Sequence, residues 1–128
     1  MAWNILLVDD SITVRAVVQK ALQIAEIPYR TIYQAGNGRE ALEVLEAQEV
    51  DLVITDLVMP EMDGEALVTE MGRRGWLLRT PVVVVSSASG EDRLKRLEEL
   101  GVKGFIHKPF TPEQIRQTVS LVMEVTSR

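Results

Sequence analysis

The stretch Val50-Asp51-Leu52-Val53-Ile54-Thr55-Asp56-Leu57-Val58-Met59-Pro60 constrains the fold of this chain more than any other. Its apolar, β-branched centre shows no polar alternation, so it reads as a strand buried on both faces, the kind found in parallel sheets. Asp56 follows where such a strand leaves the sheet, and Pro60 closes the segment. The carboxyl ends of parallel strands are where open α/β sheets bind their ligands. Taken alone, Asp56 is as well explained as a loop aspartate turning the chain towards Pro60.

The flanking sequence repeats the same grammar. Residues 5–8 form a short apolar strand that runs into Asp9-Asp10-Ser11. From residue 11 to about residue 26, Val14, Val17, Val18, Ala21 and Ala25 recur at helical spacing, and Pro28 forbids continuation. Residues 31–34 read as a weaker strand, followed by Gly36-Asn37-Gly38, a turn signature and helix start. Ala41, Val44 and Leu45 mark a helix face with Glu40, Glu43 and Glu46 on the solvent side. Leu67, Val68 and Met71 suggest a third helix ending near Gly72 or Gly75. Residues 73–80, with Trp76, carry no readable pattern. Val82-Val83-Val84-Val85 is the strongest strand signal, and Leu94, Leu97 and Leu100 stripe a charged helix from about Glu91 that Gly101 stops. Phe105 and Ile106 make a last short strand before His107-Lys108-Pro109. Thr111-Pro112-Glu113-Gln114 then starts a helix with Thr at the N-cap, continued by Ile115, Val119 and Val122.

Five strands alternating with five helices predict an α/β, doubly wound parallel sheet with right-handed crossovers and helices on both faces. The 128 residues are expected to form one domain. Such a sheet collects its strand ends along one edge. Here that edge receives Asp9 and Asp10 after the first strand, Asp56 after the third, Ser86 and Ser87 after the fourth, and Lys108 after the fifth. Local roles exist for each: Asp9 or Asp10 as a cap of the first helix, Ser86 as a cap of the fourth, Lys108 as a solvated lysine. Those roles do not explain why all of them meet on one edge. Three clustered carboxylates would not all stay ionised without a cation. With no cysteine in the chain, and His107 read as structural, hard oxygen donors suit Mg²⁺. A hydroxyl and an ammonium beside them supply what a transferring phosphoryl group needs, and an aspartate can serve as the nucleophile.

Four motifs carry a resemblance over essentially the whole chain. They are Leu6-Leu7-Val8-Asp9-Asp10-Ser11, Asp56-Leu57-Val58-Met59-Pro60-Glu61-Met62-Asp63-Gly64, Val83-Val84-Val85-Ser86-Ser87 and Lys108-Pro109-Phe110. In this order and spacing the chain resembles the receiver domain of two-component response regulators, in particular the small single-domain chemotaxis type. The resemblance implies a flavodoxin-like receiver fold with strand order 2-1-3-4-5 and a cis Lys108-Pro109 bond. It implies that Asp56 accepts a phosphoryl group from a histidine kinase or histidine phosphotransfer domain. Asp10 and Asp56 would bind Mg²⁺ directly, Asp9 mainly through water, and the Val58 carbonyl would be a further ligand. Lys108 would pair with the phosphoryl group. Ser86 would hydrogen-bond it and, with Phe105, carry the switch, while Val58 and Ala88 would flank the approach of hydrolytic water. Output is expected through the fourth helix, fifth strand and fifth helix, in a monomer or a phosphorylation-dependent dimer. Two departures stand out: Ser86 replaces the commoner threonine, and Phe105 replaces a frequent switch tyrosine.

The net charge of −5 offers no basic surface for nucleic acid. The chain lacks a signal-peptide pattern or a membrane-length apolar run, so a cytoplasmic protein is expected, either a free-standing regulator or part of a larger one. It would accept and slowly lose a phosphoryl group rather than turn over a substrate. A phosphatase of the haloacid dehalogenase type would want a second aspartate two residues after the nucleophile, where this chain has Val58. An interaction module indifferent to phosphorylation would not need the acidic set, Ser86 and Lys108 together.

Overall fold

A computed structural model describes residues 2–87 and 90–126, with side chains through Glu124. Ala88, the residue expected to flank the water path, lies outside the described residues. The elements are β1 (Trp3–Val8), α1 (Ile12–Ile24), β2 (Tyr29–Ala35), α2 (Gly38–Ala47), β3 (Leu52–Thr55), α3 (Gly64–Arg73), β4 (Val82–Ser86), α4 (Glu91–Leu100), β5 (Gly104–His107) and α5 (Pro112–Thr126). All pairings are parallel, in the order β2-β1-β3-β4-β5. The expected doubly wound sheet and its strand order are both present.

Period-two alternation along the buried strands divides the core in two. Ile5, Leu7, Ile54, Val83 and Val85 face one layer, where Val18, Ala21 and Leu22 of α1 meet Ile115 and Val119 of α5. Leu6, Val8, Val53, Val82 and Val84 face the other, against Leu42 and Leu45 of α2, Leu67, Val68 and Met71 of α3, and Leu97 of α4. Side chains of this size each stabilise the fold by roughly 1.5–3 kcal/mol when fully buried. The β3 and β4 runs lack polar alternation because helices cover both of their faces.

Some sequence expectations shift at element edges. Val17, expected on the buried stripe of α1, is exposed, because its neighbour Val18 takes the inward position. That helix stops at Ile24 rather than near residue 26, with Ala25 as C-cap and Glu26 in the left-handed region at φ 59°. The β2 strand is longer than residues 31–34; as an edge strand in which only Ala35 is buried it gives a weak apolar signal. Ser11 caps α1 by accepting the Val14 N–H at 3.2 Å, and Gly90 stands at the cap of α4 without a side-chain bond. Asp9, Asp10 and Ser86 are therefore not the helix caps. Thr111 does cap α5, accepting from Gln114 N–H at 3.2 Å while Gln114 Oε1 accepts from Thr111 N–H at 2.8 Å. Gly101 ends α4 at φ 114°, as its position implied.

The unreadable segment is a 3-10 turn, Trp76–Leu78. Trp76 packs half-buried on the α2–α3 core layer, with the Arg74 guanidinium 5.0 Å from its ring centre, while Leu78 is exposed. No helix among the described residues is long and apolar enough to cross a membrane.

At the end of α3, Glu70 accepts from Arg73 at 2.8 Å and from Arg74 at 2.7 Å. The two guanidinium hydrogen bonds, Arg73's first, lower its pKa to about 2. A depressed carboxylate contributes stability that is present above its unfolded pKa and is lost as pH falls through the folded value. Glu70 is therefore expected to remain ionised down to about pH 2. A side-chain NMR titration checks this, and a midpoint at the ordinary glutamate value would contradict it.

Candidate functional site

Parallel pairing fixes which residues share the carboxyl edge of the sheet. Val8 lies beside Ala35 and Thr55, so Asp9 and Asp56, each one residue further, emerge side by side. Their backbones continue the ladder: Asp9 N–H donates to Ala35 O at 3.1 Å, and Asp56 N–H to Val8 O at 2.9 Å. Asp9 is buried, Asp56 half-buried and Asp10 exposed, and one oxygen of each lies within 4.8 Å of the others. Lys108 reaches them from the end of β5, with Nζ 3.3 Å from Asp56 Oδ2 and 3.5 Å from Asp9 Oδ2. The Lys108-Pro109 peptide is cis. Ser86 closes β4 on the same edge and is buried.

Burial raises the Asp9 pKa above the usual aspartate value. The Asp56 charge adds to that rise, while the Ser11 N–H bond and the Lys108 ammonium oppose it. Asp56 Oδ1 accepts the Leu57 N–H at 2.7 Å, so Oδ2 is the oxygen turned to Lys108. Three hard oxygens of graded exposure, within 4.8 Å of one another, fit Mg²⁺, which keeps several waters and takes one or two carboxylates directly. Val58, with its side chain exposed, begins the turn that follows Asp56. Phe105 is half-buried and, with Leu57, Val84, Ser86 and Leu94, lines a cavity of about 130 Å³. The expected site residues within the described chain thus share one edge, with Phe105 one layer below it.

Sequence reasoning missed three supports. Arg15 on α1 donates from Nη1 to the Asp9 and Ala35 carbonyls and from Nε to Gln34 Oε1 at 2.9 Å, bracing the ends of β1 and β2. Nothing in the spacing of a lone arginine on an apolar helix announces this. Asn37, read as part of a turn and helix start, does cap α2, but its burial and its bond to Glu61 were not foreseen. Gly64 opens α3 pressed against the end of β3: its N–H donates to Leu57 O at 2.9 Å, and a Cβ there would overlap the Asp56 carbonyl oxygen and lie 3.0 Å from Leu57 Cα.

The family model of the response regulator receiver domain matches residues 5–120. The chain belongs to that family. It is 31% identical over 121 residues to the chemotaxis protein CheY1 of Helicobacter pylori, covering 94% of this chain and 96% of that one. It is 34% identical to the two-component response regulator ORR3 of Oryza sativa, covering 94% and 90%. Among solved structures it is similar to the chemotaxis response regulator CheY4 of Vibrio cholerae, with a TM-score of 0.84 and 30% identity over 95% of this chain and 99% of that one. The protein is therefore a CheY-like receiver domain of a two-component response regulator, a family whose general function is phosphorylation-dependent switching.

Gly64→Ala is expected to destabilise the receiver by about 1–3 kcal/mol, because backbone rather than a flexible side chain occupies the space a methyl would need. Urea unfolding reads the loss. Stability equal to the parent's would mean that the α3 start is free to move away from Asp56.

Proposed function

We propose that Asp56 accepts a phosphoryl group from a histidine kinase or histidine phosphotransfer domain, with Mg²⁺ bound by Asp10 and Asp56, by Asp9 through water, and by the Val58 carbonyl. The observation that carries this reading is the meeting of three carboxylates with the Lys108 ammonium at the end of β3. Bound Mg²⁺ would supply neutralisation of the charge on the phosphoryl oxygens. The chain's own residues do the rest. Asp56 provides the nucleophilic oxygen: a P–O bond to the carboxylate forms as the P–N bond to the donor imidazole breaks. Lys108 leaves its pairing with Asp56 to meet the incoming phosphoryl oxygens, and Ser86 donates its hydroxyl to them. Attack of water on the phosphorus then breaks the P–O bond to Asp56 and returns the carboxylate and inorganic phosphate, so the domain acts as a stoichiometric acceptor rather than a turnover enzyme.

Switching on this reading passes through Ser86. A move of its hydroxyl towards the phosphoryl group opens space that Phe105 can enter, and the adjoining cavity supports this. Without a hydroxyl, Phe105 would be held inward by apolar contact alone. The output surface is then the face of α4, β5 and α5, offered to a downstream protein.

Two outcomes are expected. Asp56→Asn removes the nucleophile, keeps side-chain size and relieves carboxylate repulsion, so the folded variant melts at or slightly above the parent's temperature without Mg²⁺. Mass spectrometry after incubation with a small phosphodonor and Mg²⁺ should show a base-labile addition at Asp56 in the parent and none in the variant; equal labelling would sink the reading. Val58→Asn places an amide beside the water path and is expected to shorten the phosphorylated half-life about tenfold, the scale of one orienting contact. Decay after donor removal, in excess Mg²⁺, measures this, and an unchanged half-life would exclude the role of Val58.

A further inference from the structure

One junction on the strand-end edge contributes nothing to the chemistry proposed above, yet it is bonded to the loop that carries it. Residues 57–63 leave β3 as a loop whose base is closed by the Gly64 N–H to Leu57 O bond. Its middle is exposed at Val58, Pro60 and Glu61, and Glu61 adopts φ 62°. A non-glycine residue keeps such a conformation where its surroundings over-determine it. Those surroundings come from the β2–α2 junction. Asn37 Nδ2 donates to Glu61 Oε2 at 3.2 Å, and Gly38 N–H donates to Met62 O at 2.8 Å. Glycine is needed at position 38 for that approach, since a Cβ would lie 2.6 Å from Met62 Cγ and 2.9 Å from Met62 O.

Asn37 is itself held from the other side. Only 7% of its surface is exposed, and its Oδ1 accepts the Glu40 N–H at 2.9 Å as the N-cap of α2. The amide thus uses its acceptor for the helix and its donor for the loop. Aspartate would cap as well but would set a carboxylate against Glu61.

We propose that Asn37 is a positioning residue for the phosphoacceptor loop, fixing Glu61 and so the Val58 carbonyl relative to Asp56. The inference rests on the reading of Val58 and Asp56 given above. Its chemistry is a side-chain amide bridging a helix start and a carboxylate, with Gly38 and Met62 as the backbone half of the clamp.

The test separates capping from positioning. Asn37→Asp keeps the cap but sets a second carboxylate against Glu61, so a lowered melting midpoint should recover when Glu61→Gln is added. Exchange of the Gly38 and Met62 amides in the metal-free protein should quicken, and the dissociation constant for Mg²⁺, measured by calorimetry, should rise about tenfold, the usual scale for an outer partner of a metal ligand. Combining it with Glu61→Gln restores a donor–acceptor pair in the opposite sense and should return both quantities towards the parent's values. Glu61→Ala removes the acceptor of the Asn37 amide and leaves the Glu40 N–H to Asn37 Oδ1 cap bond in place, and it should weaken Mg²⁺ binding by the same route. Unchanged exchange in Asn37→Asp, faster exchange with unchanged Mg²⁺ affinity, or a double variant no better than the single one would each overturn the proposal. A parent that binds no Mg²⁺ and takes no label at Asp56 would instead remove the functional reading, while amide exchange would still decide whether Asn37 holds the loop.

Discussion

Among the described residues, three carboxylates face one ammonium at the end of a buried sheet, and the rest of the molecule has to tolerate that imbalance. Two unit charges of like sign at 4–5 Å repel by about 3–4 kcal/mol at the effective dielectric typical of a protein surface. At Asp9 burial is the larger cause that disfavours the charge, and the Asp56 carboxylate adds to it. Lys108 offsets part of the repulsion by lying between Asp9 and Asp56. A side chain moved by its own charge would relieve the strain by turning to solvent, and the cluster would be lost. The scaffold prevents this from below.

That support is mostly backbone. The N–H groups of Asp9 and Asp56 are consumed by the strand ladder, and Lys108 N–H donates to Ser86 O at 3.0 Å. Each charged residue therefore leaves the sheet from a fixed point and in a fixed direction. Arg15 adds a brace that acts on the carbonyls of Asp9 and Ala35 rather than on the carboxylates, so it holds position without quenching the charge the site needs. Gly64 does the same behind Asp56 by leaving no space for the strand end to retreat. The apolar strands beneath explain why so few polar contacts suffice: Ile5 to Val8, Leu52 to Ile54 and Val82 to Val85 are buried on both faces.

The legible parts of the sequence were those with a period or a chemical coincidence. Uninterrupted β-branched runs identified β3 and β4, and the recurrence of Asp, Ser and Lys after strand-like runs located the edge where they meet. Boundaries were less legible where one residue type suits two environments. Val17 and Val18 are alike in composition, and only the packing of α1 on the sheet says which is buried. The 3-10 turn at Trp76 has no sequence period, because three residues are too few to show one. Asn37 and Arg15 were illegible for a different reason. Two of their partners, Glu61 for Asn37 and the Ala35 carbonyl for Arg15, are distant in sequence, and a hydrogen bond between distant residues leaves no local pattern. The asparagine looked like punctuation because Asn-Gly commonly is.

Rigidity is not spread evenly around the site. Below Asp9 and Asp56 the strands are closed by α1 and α5 on one side and by α2 and α3 on the other, each through several fully or nearly buried side chains. Beyond Ser86 the cover thins. Leu97 is the one buried side chain that α4 contributes, its cap lacks a side-chain bond, and its ion pair to α3, Arg96 with Glu65 at 2.7 Å, is solvent-exposed and correspondingly weak. The cavity beside Phe105 opens at the same place. Holding mutually repelling charges in register demands stiffness, whereas responding to a new charge requires an element with a second arrangement close in free energy. The described residues keep the two apart: α1, α2, α3 and α5 clamp the strands beneath the carboxylates, and α4, with Leu97 as its buried side chain, covers the neighbouring strand.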